Sequence, residues 1–246
     1  MGYHESLTEG RNAVLEAFRS GKTVDRLFVL DGCQDGPVKT ILREAKKQDT
    51  MVQYVKKERL DQLSETKNHQ GVIAYCAACE YAEVSDILEN AKKKGEAPFI
   101  VLLDGIEDPH NLGAIIRTAN QAGAHGVIIP KRRAVGLTAT VARTSAGAVN
   151  YTPVAKVTNL VNVMEDLKKE GMWFVCADMD GEEMYSLNLK GPIGLVIGNE
   201  GEGVSRLVKE HCDMVASIPM KGDIDSLNAS VAMGVLAYEI VRQRRF

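Results

Sequence analysis

The feature that most constrains the fold is a pair of apolar, strand-like runs near the end of the chain, each followed at once by a glycine-bearing loop. Residues 193–197 read Ile-Gly-Leu-Val-Ile and lead into 198–203, Gly-Asn-Glu-Gly-Glu-Gly. Residues 214–218 lead into Pro-Met-Lys-Gly, and a long apolar helix is predicted from residue 226 onward. Ligands of open α/β sheets bind where strand ends meet such loops, so the sequence predicts an α/β fold with its binding site close to the carboxyl terminus.

The rest of the chain alternates predicted helices and strands, which is the pattern of sheets covered by helices. In residues 1–76, helices are predicted at 11–18, 38–47 and 57–63, and strands at 26–30, 52–55 and 71–76. In residues 98–246, further strands are predicted at 99–103, 127–129, 151–155 and 173–177. The run 99–103 is wholly apolar, so we expect it to be covered on both faces of a mostly parallel sheet.

Composition changes between these two parts. Residues 77–97 are acidic and then rich in lysine, and they end before Pro98. Such a shift is typical of an inter-domain linker, here with a short helix over 84–93. The predicted organisation is therefore a small N-terminal α/β domain (1–76), a linker (77–97) and a larger α/β domain (98–246).

Bulk properties exclude several classes of protein. The 246-residue chain has a formal net charge of -3, so binding to nucleic acid requires local clustering of its basic residues. No apolar run approaches membrane-spanning length and residues 1–20 do not resemble a signal peptide, which predicts a cytoplasmic protein without a membrane partner. The five cysteines suit a reducing compartment. Cys76 and Cys79 have the spacing of half a zinc site but no second pair follows, so no metal is predicted.

The first segment suited to chemistry is 104–113, Asp-Gly-Ile-Glu-Asp-Pro-His-Asn-Leu-Gly, which leads to Arg117. Asp108 is predicted to cap a helix whose first turn contains Pro109. The amino end of such a helix, beside the end of a strand, favours anions or phosphates. Periodicity alone makes Arg117 an ordinary solvent-facing side chain, so both interpretations stay open.

The second segment is the 198–203 loop, whose glycines permit close approach of the backbone to a ligand. A dinucleotide-binding loop needs the order G-x-G-x-x-G at the start of a full helix, whereas this loop has G-x-x-G-x-G before a short helix over 204–209. Glu200 is its carboxylate of most interest. Ser226 and Asn228 are predicted caps of the last helix and also candidates to face the preceding loops. Along that helix, an apolar side is expected to contain Val231, Val235, Tyr238 and Val241.

These segments resemble the SpoU (TrmH) family of RNA ribose 2'-O-methyltransferases. The resemblance rests on Asn111 with Gly113 and Arg117, on the 198–203 loop, on 226–230 (Ser-Leu-Asn-Ala-Ser) and on 143–148 (Arg-Thr-Ser-Ala-Gly-Ala). It covers the chain from about Phe99 to the end. In addition, residues 9–14 (Glu-Gly-Arg-Asn-Ala-Val) resemble the start of the substrate-binding domain in the RlmB subgroup, which modifies a guanosine of large-subunit ribosomal RNA.

The resemblance implies a catalytic domain with a deep C-terminal trefoil knot, an N-terminal RNA-binding domain and a homodimer. It implies S-adenosylmethionine as the cofactor, held largely through backbone groups at Gly198, Ile218, Met220 and Leu227. The catalytic residues that it implies are Asn111, Arg117, Glu200, Ser226 and Asn228.

Methyl transfer to a ribose hydroxyl needs in-line geometry and removal of the hydroxyl proton. The family proposal makes Arg117 the base, although a guanidinium stays protonated in proteins. Two versions stay open. In one, a neighbouring RNA phosphate helps Arg117 to shuttle the proton. In the other, Arg117 only clamps phosphate or stabilises the alkoxide, and Glu200 or a water takes the proton.

The residues expected to bind RNA are basic side chains near the predicted site and in the first domain, although ordinary surface charge explains each one equally well: Arg11, Arg132, Arg133 and Arg143. The predicted substrate is a guanosine of 23S ribosomal RNA, with transfer RNA as the rival. A non-catalytic RNA-binding ribosome-assembly factor is the alternative of another class, but it predicts loss of the motif residues, which are intact. A small-molecule enzyme with a nucleotide cofactor predicts an early phosphate-binding loop, which the sequence lacks.

Overall fold

The computed structural model describes residues 6–33, 35–224 and 226–245, and the chain divides into two compact units. The first unit comprises residues 1–80 with 136–139, and the second comprises 81–135 with 140–246. The segment predicted as a linker contributes helix α4 (Val84–Lys94), whose Ile87 and Ala91 are buried in the second unit. The expected helix over 84–93 is confirmed, and the chain passes from one unit to the next near residue 80.

The described part of the first unit is a four-stranded sheet with three helices. The strands lie in the order β1-β4-β2-β3; β2 and β3 run parallel, and the other pairs are antiparallel. Its elements are β1 (Ser6–Glu9), α1 (Arg11–Arg19), β2 (Val24–Leu30), α2 (Gly36–Lys47), β3 (Met51–Val55), α3 (Lys57–Leu63) and β4 (Val72–Cys76). Only β1 lacks a counterpart in the sequence-based prediction.

The second unit is built on a six-stranded sheet that is parallel throughout its described ladder, with the strand order β10-β8-β9-β5-β6-β7. The predicted α/β class with a mostly parallel sheet is confirmed. The elements after α4 are β5 (Phe99–Asp104), α5 (Pro109–Gln121), β6 (Gly126–Pro130), α6 (Ala139–Thr144), β7 (Val154–Val157), α7 (Leu160–Lys169), β8 (Trp173–Glu183), β9 (Ile193–Gly198), α8 (Arg206–Glu210), β10 (Met214–Ser217) and α9 (Ala229–Arg245). β7 begins at Val154, later than predicted, because the backbone N–H groups of Tyr151 and Thr152 donate to the carbonyl of Ala148 (3.0 Å each) and continue the turn that begins there.

Every residue of the central strand β5 is buried, as its apolar sequence predicts. Ile100 and Leu102 point into a core cluster that also contains residues of α4, α7 and α8. Since successive side chains of a strand alternate between faces, Val101 and Leu103 point to the opposite face, where α5 and α9 pack together. The sheet is therefore covered on both sides, and its polar chemistry is confined to the strand ends.

The predicted apolar side of α9 is wrong. The helix buries Ala229, Met233, Leu236, Ala237 and Ile240, whereas Val231 and Tyr238 are half exposed. The pattern misled because apolar residues occupy two faces of this helix, and spacing alone cannot tell which of them meets the sheet. The consequence is a partly apolar stripe left on the surface of the unit.

His125 is fully buried just before β6, at the amino ends of the strands. Its Nδ1 accepts a hydrogen bond from the backbone N–H of Phe99 (2.9 Å), and its Nε2 lies 3.1 Å from Oε2 of Glu96. Because Nδ1 is an acceptor, the neutral ring carries its proton on Nε2. Burial lowers the pKa of His125 below its usual 6.5; Lys94 lowers that pKa further, and Glu96 opposes the shift.

This shift makes stability depend on pH. The unfolded chain protonates His125 near its usual pKa of 6.5, whereas the folded chain keeps the ring neutral to a lower pH. The unfolded state therefore binds more protons below pH 6.5, and the free energy of unfolding decreases as the pH falls through that window. We expect His125→Gln to flatten this dependence, as measured by urea unfolding at about pH 7.5 and 5.5. The exposed His110→Gln is the control, and equal flattening in both variants would contradict the assignment.

Candidate active site

The candidate site lies at the carboxyl edge of the parallel sheet. β5 ends at Asp104 and β9 at Gly198, and the two residues pair in the sheet. The 199–205 loop leaves β9, and residues 218–228 leave β10. Although β9 and β10 follow each other along the chain, β8 lies between them in the sheet. The two glycine-bearing loops thus leave the same edge from strands that are not neighbours.

The loop after β9 is folded around one asparagine. Oδ1 of Asn199 accepts hydrogen bonds from the backbone N–H groups of Gly201 (2.9 Å) and Glu202 (2.7 Å), and its carbonyl accepts from the N–H of Gly203 (3.0 Å). The loop is then anchored to β5, because the N–H of Ser205 donates to Oδ2 of Asp104 (2.8 Å). Sequence reasoning did not single out Asp104 or Asn199; the available signals were an acidic residue at the end of a buried strand and an asparagine in a glycine turn.

Gly198 permits this loop to close. A Cβ atom at Gly198 would lie 2.0 Å from the carbonyl carbon of Gly203 and 2.2 Å from the nitrogen of Val204. Both contacts are with backbone, so no side-chain rotation would relieve them. Gly198 is therefore required for close approach of two backbone segments, while its own φ is not in the positive region.

The helix α5 begins as the sequence predicts. The side chain of Asp108 accepts from the N–H of His110 (2.9 Å), Pro109 lies in the first turn, and Gly123 follows the end with a φ of 74°. Gly113 lets a second segment approach, because a Cβ there would lie 1.8 Å from Oγ1 of Thr144. The 143–148 segment is thereby packed directly against the first turns of α5.

A single carboxylate oxygen joins three of the predicted segments. Oε1 of Glu200 accepts hydrogen bonds from Nδ2 of Asn111 (2.5 Å) and Nδ2 of Asn228 (3.0 Å). Nδ2 of Asn228 also donates to Oδ1 of Asn111 (3.0 Å). The backbone N–H of Ala229, at the start of α9, points to the same carboxylate oxygen at 3.5 Å. Asn111, Glu200 and Asn228 therefore form one connected polar cluster, which we call the amide–carboxylate cluster.

Asn228 has a second role as the cap of α9. Its Oδ1 accepts from the backbone N–H of Ser230 (3.0 Å) and, at 3.4 Å, from that of Val231. The predicted capping function is confirmed for Asn228. Ser226 is exposed two residues earlier and has no hydrogen-bond partner in the described part of the chain.

Arg117 is exposed on α5, six residues after Asn111 and so about 9 Å further along the helix axis. The buried apolar residues of α5 are Leu112, Ile115, Ile116 and Ala119. Among residues 6–33, 35–224 and 226–245, the guanidinium of Arg117 has no hydrogen-bond or ion-pair partner. Its full guanidinium fork therefore remains available to a ligand.

The predicted cofactor-binding residues lie at the same edge. Gly198 ends β9, Ile218 follows β10, and Leu227 precedes α9. The side chains of Ile218 and Leu227 are half-buried, and Met220 is 39% exposed. The backbone N–H groups of Met220, Lys221 and Gly222 make no hydrogen bond within the residues that the structure describes. Apolar side chains thus stand beside unused backbone donors, which fits a ligand with a flat apolar ring and a polar edge.

The four arginines predicted to bind RNA have different environments. Arg132, Arg133 and Arg143 are exposed, and Arg133 has a positive φ of 53°. Arg143 donates to Oγ1 of Thr140 (3.1 Å). In the first unit, Arg11 forms an ion pair with Asp35 (2.6 Å) and donates to the carbonyl of Gln70 (3.1 Å), so much of its donor capacity already holds that unit together.

A pocket of about 410 Å³ opens beside the amide–carboxylate cluster. Glu200 forms part of its wall, and Arg133 is its cationic residue. The other acidic side chains of the wall are Asp104, Glu107, Asp108 and Glu202. Glu107 and Glu202 are exposed, and their carboxylates have no hydrogen-bond partner among the described residues, so both can accept from a ligand.

In the described residues no group of three or more histidine, cysteine, aspartate or glutamate side chains is arranged to hold a metal ion, and the cysteines described are all free thiols. No helix in 6–33, 35–224 or 226–245 combines the length and the apolarity needed to cross a membrane.

Comparison with known proteins gives two family matches that together span most of the chain. The family described as SpoU rRNA Methylase matches residues 98–238, and the one described as RNA 2'-O ribose methyltransferase substrate binding matches residues 7–82. YacO of Bacillus subtilis (strain 168), whose name places it among TrmH family tRNA/rRNA methyltransferases, is 49% identical over 237 residues, which are 96% of this chain and 94% of that protein.

Two solved structures are similar over nearly the whole chain. The SpoU methyltransferase AviRb from Streptomyces viridochromogenes, in complex with the cofactor AdoMet, has a TM-score of 0.62 and 27% identity, covering 98% of this chain and 91% of AviRb. The AdoMet-bound rRNA methyltransferase from Sinorhizobium meliloti has a TM-score of 0.60 and 25% identity, covering 96% of this chain and 86% of that one.

The close contact at Gly198 leads to a testable asymmetry between two glycines of one loop. Gly198→Ala must displace the backbone at residues 203 and 204, so we expect it to lower the free energy of unfolding by about 1–3 kcal/mol. It should also speed hydrogen exchange at the amides of Gly201 and Glu202, which Asn199 holds. Gly201→Ala is the control, because its Cβ would meet only Oδ1 of Asn199, at 3.5 Å. Equal effects of both substitutions would contradict this account.

Proposed function

We propose, from the premise that this chain belongs to the SpoU (TrmH) family of RNA methyltransferases, that it transfers a methyl group from S-adenosylmethionine to a ribose 2'-hydroxyl of RNA. A trefoil knot is characteristic of this family, and its members use S-adenosylmethionine. The observation that carries the proposal is the amide–carboxylate cluster, because it joins residues of the three family segments at the carboxyl edge of the sheet.

The residues at this edge fit the cofactor. Ile218, Met220 and Leu227 offer apolar surface to an adenine ring, and the free backbone N–H groups after Pro219 offer donors to its polar edge. Gly198 keeps the 199–203 loop closed, so that loop is preformed rather than ordered by the ligand. Bound S-adenosylmethionine supplies an electrophilic methyl group on a sulfonium. The chain itself has to place the ribose oxygen in line with that methyl and remove the hydroxyl proton.

For the proton we favour Glu200 over Arg117. A guanidinium stays protonated and cannot accept a proton under ordinary conditions. Arg117 is exposed and unpaired among the described residues, which suits a clamp for an RNA phosphate or for the developing alkoxide. Oε1 of Glu200 accepts from Asn111 and Asn228, whereas Oε2 has no hydrogen bond among the described residues and so can accept the ribose proton. In this arrangement the two asparagines fix the direction of the carboxylate, and Ser226 is available to orient the substrate.

A guanosine is the target nucleoside that the neighbouring pocket suits best. A carboxylate such as Glu107 or Glu202 can accept from the two adjacent donors on the Watson–Crick edge of guanine, N1–H and N2–H₂. An arginine such as Arg133 can donate to O6 and N7 of the same base. Uracil has acceptors on both sides of its one Watson–Crick donor, and adenine has an acceptor at N1. These acceptors would face the carboxylate oxygens, so a carboxylate disfavours both bases.

Ribosomal RNA is the proposed substrate. One neighbour that covers 96% of this chain is named an rRNA methyltransferase, and the match at residues 7–82 is to a substrate-binding domain. We assign residues 1–76 to RNA binding, 77–97 to the connection and 98–246 to methyl transfer. Transfer RNA remains the rival substrate, as the name of the Bacillus subtilis relative indicates. The non-catalytic assembly factor is disfavoured because the polar cluster is complete.

We further propose a cytoplasmic homodimer. The half-exposed Val231 and Tyr238 lie on one side of α9, and burying them against a second copy would remove apolar surface from water. Arg132, Arg133 and Arg143 are the proposed RNA-binding arginines of the catalytic unit, with Arg11 in the first unit, where Asp35 competes with phosphate for its guanidinium.

A label-transfer experiment tests the reaction and the substrate together. The protein is incubated with methyl-labelled S-adenosylmethionine and separate pools of unmodified large-subunit rRNA, small-subunit rRNA and tRNA. We expect label on one guanosine 2'-oxygen of large-subunit rRNA, and loss of that label with Arg117→Ala. Label on tRNA would retain the reaction but contradict the substrate. Full activity of Arg117→Lys would contradict the clamp, since lysine lacks the bidentate fork.

The role of Glu200 has its own test. Glu200→Gln keeps an oxygen that accepts from Asn111 and Asn228 but cannot take a proton, so we expect kcat to fall by about 10²–10⁴-fold with cofactor affinity retained. Glu210→Gln, at a surface carboxylate paired with Arg206, should leave kcat unchanged. Near-normal activity of Glu200→Gln together with an inactive Glu200→Ala would make Glu200 a positioning residue and assign the proton to a water.

A further inference from the structure

A second and larger pocket, of about 760 Å³, lies at the opposite edge of the same sheet. We call it the edge pocket; its wall includes Glu96, Phe99, Gly123, Lys190, Arg244 and Arg245. Phe99 is the first residue of β5, whereas Asp104, at the candidate active site, is the last. Five residues of a strand span about 16 Å, so the edge pocket is separate from the methyl-transfer site.

The charge of the edge pocket is opposite to that of the chain as a whole. The formal net charge of the protein is -3, yet this wall contains three cationic side chains and one carboxylate. That carboxylate, Glu96, already contacts the buried His125 (3.1 Å). Lys190 and Arg245 are exposed and have no ion-pair partner among the described residues. The pocket is therefore a local site of positive potential, which attracts anions.

Arg244 fixes the shape of the pocket and adds to its charge. Its guanidinium donates to the carbonyls of Ala97 (3.0 Å), Pro98 (2.9 Å) and Gly191 (2.7 Å), and it lies 5.4 Å from the centre of the Phe99 ring. It forms no salt bridge within 6–33, 35–224 and 226–245; three carbonyl dipoles hold it, and Glu96 attracts its charge only from beyond contact distance. From the sequence alone, Arg244 is expected only to solvate the end of the chain and to favour the carboxyl end of α9.

An exposed aromatic ring stands beside this charge. Trp173 is 57% exposed at the amino end of β8, and its backbone N–H donates to the carbonyl of Pro192 (2.9 Å), next to the Gly191 carbonyl that Arg244 binds. Trp173 and Phe99 both pair with Ile193 in the parallel sheet, so their side chains point to the same face. Exposed aromatic rings flanked by cations are the means by which proteins bind unstacked nucleotides.

We propose that the edge pocket and the exposed Trp173, which lies outside the pocket wall at the same edge of the sheet, form a second RNA-binding site. Lys190 and Arg245 bind backbone phosphates there, and Trp173 stacks with an unpaired base. This inference rests on the proposed function, since it assumes that RNA is the substrate. A long rRNA segment offers backbone phosphates and an unpaired base at once. Scattered lysines without an aromatic ring would bind only the phosphates. The site binds RNA about one strand length away from the nucleotide that is methylated. It therefore favours an RNA that extends well beyond that nucleotide.

The test measures binding of unmodified large-subunit rRNA at a series of salt concentrations. For the double variant Lys190→Gln and Arg245→Gln, we expect the slope of log affinity against log salt to decrease by about 2, with the loss appearing in KM for RNA rather than in kcat. For Trp173→Ala, we expect affinity to fall by about 5- to 150-fold with the slope unchanged. The matched control is the double variant Lys93→Gln and Lys169→Gln, two exposed lysines paired with Glu89 and Asp166, which should keep the original slope.

The outcomes separate this inference from the proposed function. Label transfer by the unaltered protein, together with an unchanged slope in the Lys190/Arg245 variant or an equal change in the control, would overturn the second site and leave the reaction standing. Binding of AMP that depends on Lys190 and Arg245, without any effect on RNA affinity, would also overturn it in favour of a mononucleotide site. Absence of label transfer by the unaltered protein would overturn the proposed function and this inference with it.

Discussion

The second unit depends on one carboxylate oxygen that accepts from two asparagines distant in the sequence. Oε1 of Glu200 binds the side-chain amides of Asn111 and Asn228, which begin α5 and cap α9. The two helices pack side by side over one face of the sheet, so this contact sets the relative position of their amino ends. The donors are neutral amides, so no cation pairs with this carboxylate, and its Oε2 has no hydrogen bond among the described residues. The same contact that organises the fold thus leaves a group able to do chemistry.

Small residues make that contact possible. Gly198 lets the backbone at residues 203 and 204 fold back onto the end of β9, and Gly113 lets Thr144 pack against α5. A side chain at Gly198 would separate two backbone segments, and one at Gly113 would displace the side chain of Thr144. Asn199 and Asp104 then hold the closed loop through backbone N–H groups. A preformed loop reduces the ordering cost of binding a cofactor, since little conformational entropy remains to be lost.

Charge is distributed unevenly over the two edges of the sheet, and this distribution explains how the protein can bind RNA. The carboxyl edge holds a pocket with several carboxylates and Arg133, which disfavours phosphates but suits the donor edge of a base. The amino edge holds Lys190, Arg244 and Arg245 around a pocket that suits phosphates. A slightly acidic protein can thus bind a polyanion, because its attraction is local rather than global. Two arginines of this unit also have different roles. Arg244 donates hydrogen bonds to three backbone carbonyls, whereas the guanidinium of Arg117 has no partner among the described residues.

The sequence by itself determined the α/β class, most helix and strand positions, and the segments of the site, because alternating apolar periodicity, Asp108 as a cap and glycines at strand ends are local signals. It did not reveal the β8 strand between β9 and β10, the buried face of α9, the role of Asp104 or the clamp formed by Arg244. Each of these depends on contacts between residues far apart in the chain, which composition and periodicity do not encode. Tertiary structure alone brought Asn111, Glu200 and Asn228 onto one oxygen and left Val231 and Tyr238 at the surface. The physical reason is that several arrangements fit the local sequence equally well. A helix with two apolar faces buries one of them, and a polar side chain takes one of several possible partners, only when the sheet beside it has formed.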